Sequence, residues 1–483
     1  MGQPPRDLPA LRTRRPALAP AQHPAADADR VRPVPDSGGR RVRPVGQRPP
    51  RRGSPVRSDP HDHGNLLLRS LDLRLDSTPA TRHGHARGLR DHSELPAGDA
   101  DVRDGDARRF RELQGELDPL RRNRRLLRDL GVVLRPRRVT ERVLTLRELN
   151  RALLARQLLL ERRRLGVQET IEKLCAIQAQ WPQSPYIALW TRLTGFRKEQ
   201  LTRALEEHKV VKATLFRITL HMTSARDYPY YAAVVLRAAR ETTPRVTTQQ
   251  LEQLSKRVRA AAMKAPVTHE QVEAIAAEAM GGFRWRTRTL TPLVHLPPGG
   301  TWSHYGRVQL GAMEAVLRVE LPSCEDGAER LVRRYLNAFG PATQQDLLRF
   351  AGVRVGDVRA GLERIELQRF RDERGRVLLD VPEAPLPDGD TPAPVRFLPK
   401  WDSSILAYAP PERTRILPEK LRTTVIAKNG DVAPTILVDG FVAATWDVGT
   451  KRDLTITPLR KLTKAERAAV DDEGERLFAF FRS

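Results

Sequence analysis

The sequence predicts an α+β protein, mostly α: three tandem winged-helix units and a small β-rich C-terminal part, preceded by a disordered N-terminal segment. Three observations carry this reading. Helix-start signals followed by apolar residues at three- and four-residue spacing recur from Thr145 onward. Groups of such helices lead into short β segments, and the arrangement comes round three times. No such periodicity exists before residue 140.

Residues 1–140 are rich in arginine and proline, as in Arg40-Arg41-Val42-Arg43-Pro44 and Pro49-Pro50-Arg51-Arg52. The first lysine of the chain is Lys173. Apolar residues are too sparse here to offset the entropy of ordering the chain. The segment is expected to be disordered, either as a basic tail or as an extension from upstream of the natural start.

The first unit is expected over 145–245. Thr145-Leu146-Arg147-Glu148 is a capping box, and Leu149, Leu153, Leu154 and Leu158 share one helical face until Gly166. A second helix is expected over Val167–Ala179, ended by Pro182 and Pro185, and a third over Arg197–His208. Val210–Leu215 and Thr219–Thr223 then read as a β pair. In the second unit, 250–325, Thr268-His269-Glu270-Gln271 caps a helix through Met280, with a wing around Trp285–Val294. The third unit, 328–390, holds helices over Leu331–Phe339, Gln344–Phe350 (stopped by Gly352) and Val355–Ile365, then a strand at Val377–Leu379. The β-rich part, 392–483, is expected to place strands at Thr424–Ile426, Thr435–Val438 and Phe441–Ala443, with Asp439-Gly440 as a turn. Leu462–Phe481 closes the chain as an amphipathic helix.

The chain has 483 residues and a formal charge of +25, and its basic excess persists beyond residue 140. Such a surface favours a polyanion through phosphate contacts and counterion release. No apolar run reaches the ~20 residues of a membrane span, and the start lacks a signal-peptide layout. Cys175 and Cys324 are the only cysteines and form no CxxC pair, which argues against a disulfide framework or zinc site and suits a reducing cytoplasm. No cofactor or metal is expected. A two-metal nuclease would need clustered carboxylates, which the chain lacks. A regulator would add a sensing or dimerisation domain; none is visible, and a monomer is expected.

Several segments resemble one family. They are Leu149–Gln157, Gln178-Ala179-Gln180, Pro185-Tyr186, Leu189-Trp190-Thr191-Arg192-Leu193, Arg217-Ile218-Thr219-Leu220-His221, Leu398-Pro399-Lys400-Trp401-Asp402, Asn429-Gly430-Asp431 and Leu437-Val438-Asp439-Gly440. Their order and identity resemble the AlkZ-like winged-helix DNA glycosylases over roughly 145–450. Two departures stand out: the family more often has an acid and Phe at Lys400-Trp401, and Val-Ala-Gly at Val442-Ala443-Ala444. The resemblance implies a concave DNA-binding surface, with double-stranded DNA carrying alkylated bases as partner.

The resemblance further implies that Gln178 and Gln180, a Gln-x-Gln motif, line the catalytic centre. Hydrolysis at an N7-alkylated purine needs little acid catalysis, because alkylation already makes the base a cationic leaving group. What remains is to place a water at C1′ and to stabilise an oxocarbenium-like sugar, which carboxamides can do. The motif is expected at a helix end before Pro182. Arg217 and His221 are expected on the first wing, Arg217 as a phosphate contact and His221 against DNA or capping a turn. Trp181 beside the motif is a candidate DNA contact or a core residue, and Lys400, Trp401 and Asp402 further on are candidates to contact DNA or to brace the site. A motif without lysine implies no Schiff-base lyase step. The alternative reading is a non-catalytic winged-helix DNA binder, regulatory or architectural.

Overall fold

Thr145 caps a helix, as its capping box predicts. The computed structural model describes residues 141–241, 246–280, 290–304, 307–449 and 453–483. The expected disordered segment 1–140 and the first half of the wing expected around Trp285–Val294 lie outside those residues. Strand β1 (Val143–Leu144) leads into helix α1 (Leu146–Arg156), where the Thr145 side chain accepts from the Glu148 N–H and Glu148 accepts from the Thr145 N–H. α1 ends at Arg156, ten residues short of Gly166. Leu158 has φ 55°, and the Leu159 N–H folds back onto the Leu154 carbonyl.

The next departure bears on function. Helix α2 (Val167–Lys173) stops well before Ala179, because Cys175 turns left-handed at φ 69°. Ile177–Gln178 is strand β2, not helix. Helices α3 (Ser184–Trp190) and α4 (Lys198–Glu206) follow, then strands β3 (Val210–Thr214) and β4 (Leu220–Ser224). β2 pairs antiparallel with β4, Gln178 opposite His221. Tertiary pairing thus overrides the helical periodicity of Ile171, Leu174 and Ile177.

After α5 (Tyr228–Glu241), the same order of elements returns. α6 (Thr248–Lys264), β5 (Val267–Thr268) and α7 (His269–Met280) precede β6 (Leu293–His295) and β7 (Gln309–Ala312), and β5 pairs with β7 as β2 does with β4. Beyond α8 (Met313–Leu317), α9 (Cys324–Phe339), α10 (Gln344–Ala351) and α11 (Val355–Glu363) lead to β8 (Gln368–Asp372) and β9 (Val377–Asp380). Here a single bridge, Ala342 to Leu379, replaces the short first strand. The first two groups merge through Lys212 and His295 into one sheet of order β2-β4-β3-β6-β7-β5, whereas β8 and β9 pair with β1.

The C-terminal part is a sheet of order β10-β11-β12-β13: Arg396–Leu398, Thr435–Val438, Phe441–Val448 and Leu454–Pro458. Asp439 (φ 49°) and Gly440 (φ 81°) make the expected two-residue turn between β11 and β12. Between β10 and β11 lie α12 (Ser403–Leu406) and α13 (Arg422–Val425); the latter replaces the strand expected at Thr424–Ile426. α14 (Lys464–Arg482) lays Val470, Leu477 and Phe480 against a core containing Phe397 and Trp446.

That core also takes Ile171, Tyr186 and Leu201, so it welds the first group to the C-terminal sheet. The largest core joins α1, α5, α9 and α10 through Leu153, Tyr231, Tyr335 and Phe350. The second group has a smaller core of its own around Leu254, Val258 and Val272.

Candidate active site

Gln178 ends β2, and Gln180 stands two residues on, at a bend beyond the strand. On a helix, residues two apart point nearly opposite ways; on an extended chain they share a face. Gln178 lies in the strand and Gln180 just past its end, where the Ala179 N–H still donates to the Leu220 carbonyl. Gln178 is buried and Gln180 half-buried. Their orientations are fixed by partners that can only donate. Arg217 Nη2 donates to Gln178 Oε1 at 3.0 Å, and the Leu220 backbone N–H donates to Gln180 Oε1 at 2.7 Å. Each oxygen retains one lone pair, and neither NH₂ group donates to a protein acceptor among the described residues.

Arg217 lies in the tight link between β3 and β4, a 3₁₀ turn over Phe216–Ile218. It does not project from an exposed wing. Its backbone is left-handed at φ 54°, and its side chain folds onto α10, where Nη1 donates to the Phe350 carbonyl and the guanidinium lies 5.3 Å from the Phe350 ring. Burial, with Arg413 and Arg349 nearby, pushes its pKa down to about 9, so it stays cationic at neutral pH.

His221 is fully buried on the central strand β4. Its Nδ1 lies 3.0 Å from the Thr219 carbonyl, so Nδ1 carries the proton and donates, and Nε2 is sealed beside Phe216 without a hydrogen-bond partner. Burial first, and then Arg217, push its pKa down to about 3, which makes it neutral. As folded, His221 offers no ring atom to DNA and backs the strand behind Gln178.

Ser184 draws the 398–402 segment to this edge by donating its hydroxyl to the Lys400 carbonyl at 2.9 Å. Lys400 is half-buried, paired with Asp431 at 3.0 Å and stacked 4.7 Å above the Trp401 ring. Trp401 Nε1 donates to the Gly430 carbonyl at 3.1 Å. Asn429-Gly430-Asp431 is thus the bracket for Lys400 and Trp401. Trp181 is half-buried and packs against the second core. Asp402 sits apart from this rim: it is buried, caps α12 at Ser404, and accepts a bidentate pair from Arg192 at 2.9 and 3.0 Å.

Much of the remaining motif series braces the fold. Asn150 Nδ2 donates to the Arg415 and Gly440 carbonyls at 2.7 and 2.8 Å, and Arg151 pairs with Asp439. Arg192 lies within the Leu189–Leu193 motif, yet its partner stands 210 residues away and spacing does not reveal the pair. Arg349 and Arg413, which bear on Arg217, carried no sequence signal at all: one is a helix-surface position, the other follows Pro410-Pro411-Glu412. Cys175 is buried with its thiol pushed up to about 12, which rules it out as a nucleophile. Among the described residues, no group of three His, Cys, Asp or Glu could hold a metal ion, and no helix is long and apolar enough to cross a membrane. A cavity of about 670 Å³ opens elsewhere, beside Phe370 and Leu386.

Comparison with known proteins gives the chain its family. The model of the AlkZ-like DNA glycosylase family matches residues 171–480. A curated relative, the interstrand DNA cross-link repair glycosylase of Streptomyces sahachiroi, is 21% identical over 350 residues, covering 66% of this chain and 92% of its own. The solved structure of Streptomyces sahachiroi DNA glycosylase AlkZ aligns with a TM-score of 0.60 at 18% identity, covering 68% of this chain and 95% of that one, and so shares the fold. The chain is therefore a member of the AlkZ-like DNA glycosylase family.

Proposed function

We propose that this protein is a monofunctional DNA glycosylase that hydrolyses the N-glycosidic bond of alkylated purines in duplex DNA, whether N7-alkylguanine or bulkier crosslink adducts. The observation that carries the reading is the pair of carboxamides, Gln178 and Gln180, two residues apart and each with its oxygen held by a fixed donor. The name of the curated relative, with its reference to interstrand cross-links, supports a bulky lesion. The base leaves already charged, so the site needs a placed water and a polar environment for the sugar cation. The spare lone pairs of Gln178 and Gln180 accept from the water, and their NH₂ groups donate to sugar or phosphate oxygens. Arg217 holds Gln178 from behind, and no lysine of the motif is placed for a Schiff base.

The three repeats of helix, short strand or bridge, helices and hairpin are read as winged-helix units over 145–245, 250–325 and 328–390, with 392–483 as the β-rich part. Trp181, Lys400 and Trp401 form the DNA-facing rim, and Asp402 and His221 act through the residues they support. A monomer in the cytoplasm, associated with the nucleoid, completes the proposal.

The test incubates the full chain with duplex DNA carrying N7-methylguanine, then with a nitrogen-mustard crosslink, followed by hot alkali and a denaturing gel. The expected result is strand cleavage by the wild type and none by Gln178→Ala/Gln180→Ala. Tight binding without cleavage of either substrate would favour the non-catalytic binder instead.

A further inference from the structure

Shielded arginines in this fold are held by acceptors. Arg156 and Arg192 each pair with a carboxylate, Asp380 and Asp402 respectively. Arg217 and Arg415 have backbone carbonyls instead, those of Phe350 and Pro341. Lys212 is the departure. Only 5% of it is exposed, yet among the described residues it has no hydrogen bond, ion pair or ring contact.

Its surroundings explain the burial. Lys212 lies on the central strand β3, in the row that carries Met222 on β4 and His295 on β6. Gly300 covers its stem: a Cβ there would stand 2.8 Å from Lys212 Cδ and 3.6 Å from Met222 Cε. Gly300 has φ +95°, which glycine adopts freely, so the loop can sit this low. The titratable group on the neighbouring strand is His295, whose ring meets that of His269 edge-on at 5.7 Å. No carboxylate answers the ammonium, and burial alone pushes its pKa down to about 8.

The nitrogen is not closed off. Partnerless atoms such as His221 Nε2 and Thr223 Oγ1 are sealed from solvent, whereas Lys212 Nζ is not among them. The route to it is narrow, since so little of the residue is exposed. About 10% of such an amine is neutral at pH 7, against less than about 0.1% of an ordinary lysine. An unpaired buried ammonium is destabilised, and a neutral product at Nζ removes that penalty. A carbamate from carbon dioxide would only exchange a buried cation for a buried anion. An imine carries no charge.

We propose that Lys212 is a covalent capture site for small aldehydes, set under the Gly300 loop at the seam between the first two repeats. The neutral Nζ attacks the carbonyl carbon to give a carbinolamine. Loss of water, which takes both amine hydrogens, then leaves the imine. Successive residues of a strand alternate faces, so Lys212 with Met222 lies on the sheet face opposite Gln178 with His221. Capture is therefore separate from base release.

The test uses the full chain, formaldehyde as probe and cyanoborohydride to trap imines as methylamines, read by peptide mass mapping. At pH 7, Lys212 is expected to gain methyl groups about tenfold faster than the exposed Lys420 and Lys428. That lead should vanish near about pH 10, where ordinary lysines lose their protons too. Benzaldehyde, too bulky for the opening, should mark Lys420 and Lys428 and spare Lys212. The proposal is overturned if Lys212 stays unmodified by formaldehyde while the two exposed lysines react. It is equally overturned if benzaldehyde marks Lys212 as readily as formaldehyde does, or if the lead persists in concentrated urea, where the fold no longer shapes the amine.

Discussion

Arg192 and Arg217 are both shielded arginines lying within the matched family region, and they are treated oppositely. Arg192 is 1% exposed and locked to Asp402. Arg217 is held just as firmly, but by neutral groups and among other cations. A matched buried ion pair gives geometry to the fold: Arg192 fastens the end of α3 to α12, across 210 residues of sequence. Arg217 has no carboxylate partner, so its removal orphans no buried anion. The contrast separates residues that make the site from residues that only make room for it.

The comparison breaks most sharply at the matched pair. Arg192→Ala leaves Asp402 as an uncompensated buried carboxylate and should cost about 3–5 kcal/mol of stability. Chemical denaturation reads this directly, and base release should fall only as far as the fold does. Arg217→Met is the converse experiment. Stability should move by no more than about 1 kcal/mol, because no carboxylate is orphaned. Single-turnover base release should nevertheless drop by about 100-fold, the scale of losing an oriented polar group in a reacting site. If Arg217→Met unfolds the protein while Arg192→Ala does not, the contrast is wrong.

His221 sharpens the picture from behind the strand. Its folded pKa is depressed, so the unfolded chain takes up the proton first as pH falls. Its contribution to stability is complete above about pH 6.5 and is lost progressively down to about 3. Between pH 6.5 and 5, wild type should lose about 1–2 kcal/mol more than His221→Gln, measured by urea titration at each pH. Equal losses would mean that the imidazole is not sealed. The smallest effect belongs to the rim: Lys400→Ala should cost under about 1 kcal/mol of stability, since the pair with Asp431 is partly solvated. Its effect on DNA affinity should be the larger one.

Features whose determinants lie close together in sequence were legible in advance. Thr145 with Glu148 and Thr268 with Gln271 are three residues apart, and both capping boxes form. Asp439-Gly440 announces its own turn. What the sequence hid depends on distant partners. Ile177–Gln178 is a strand only because β4 lies beside it, 43 residues on, and no propensity within 167–179 says so. The end of α1 at Arg156 hides for another reason, since no glycine or proline marks the left-handed Leu158. Gln178 and Gln180 could be picked out by resemblance, but their orientation could not. It depends on Arg217, Leu220 and, through Phe350 and Gly352, a helix of another repeat.

The most direct test of the account is to look for the free base itself. Wild type and Gln178→Ala/Gln180→Ala would each be incubated in excess with an N7-alkylguanine duplex, and the small-molecule fraction analysed by liquid chromatography and mass spectrometry. The account predicts free alkylated guanine from the wild type, one per lesion, with the strand left unbroken until alkali is added, and at least about 100-fold less from the variant. Equal release from both proteins would remove the two glutamines from the chemistry, and no release from a wild type that binds the duplex would make this a protein that holds DNA without cutting a base from it.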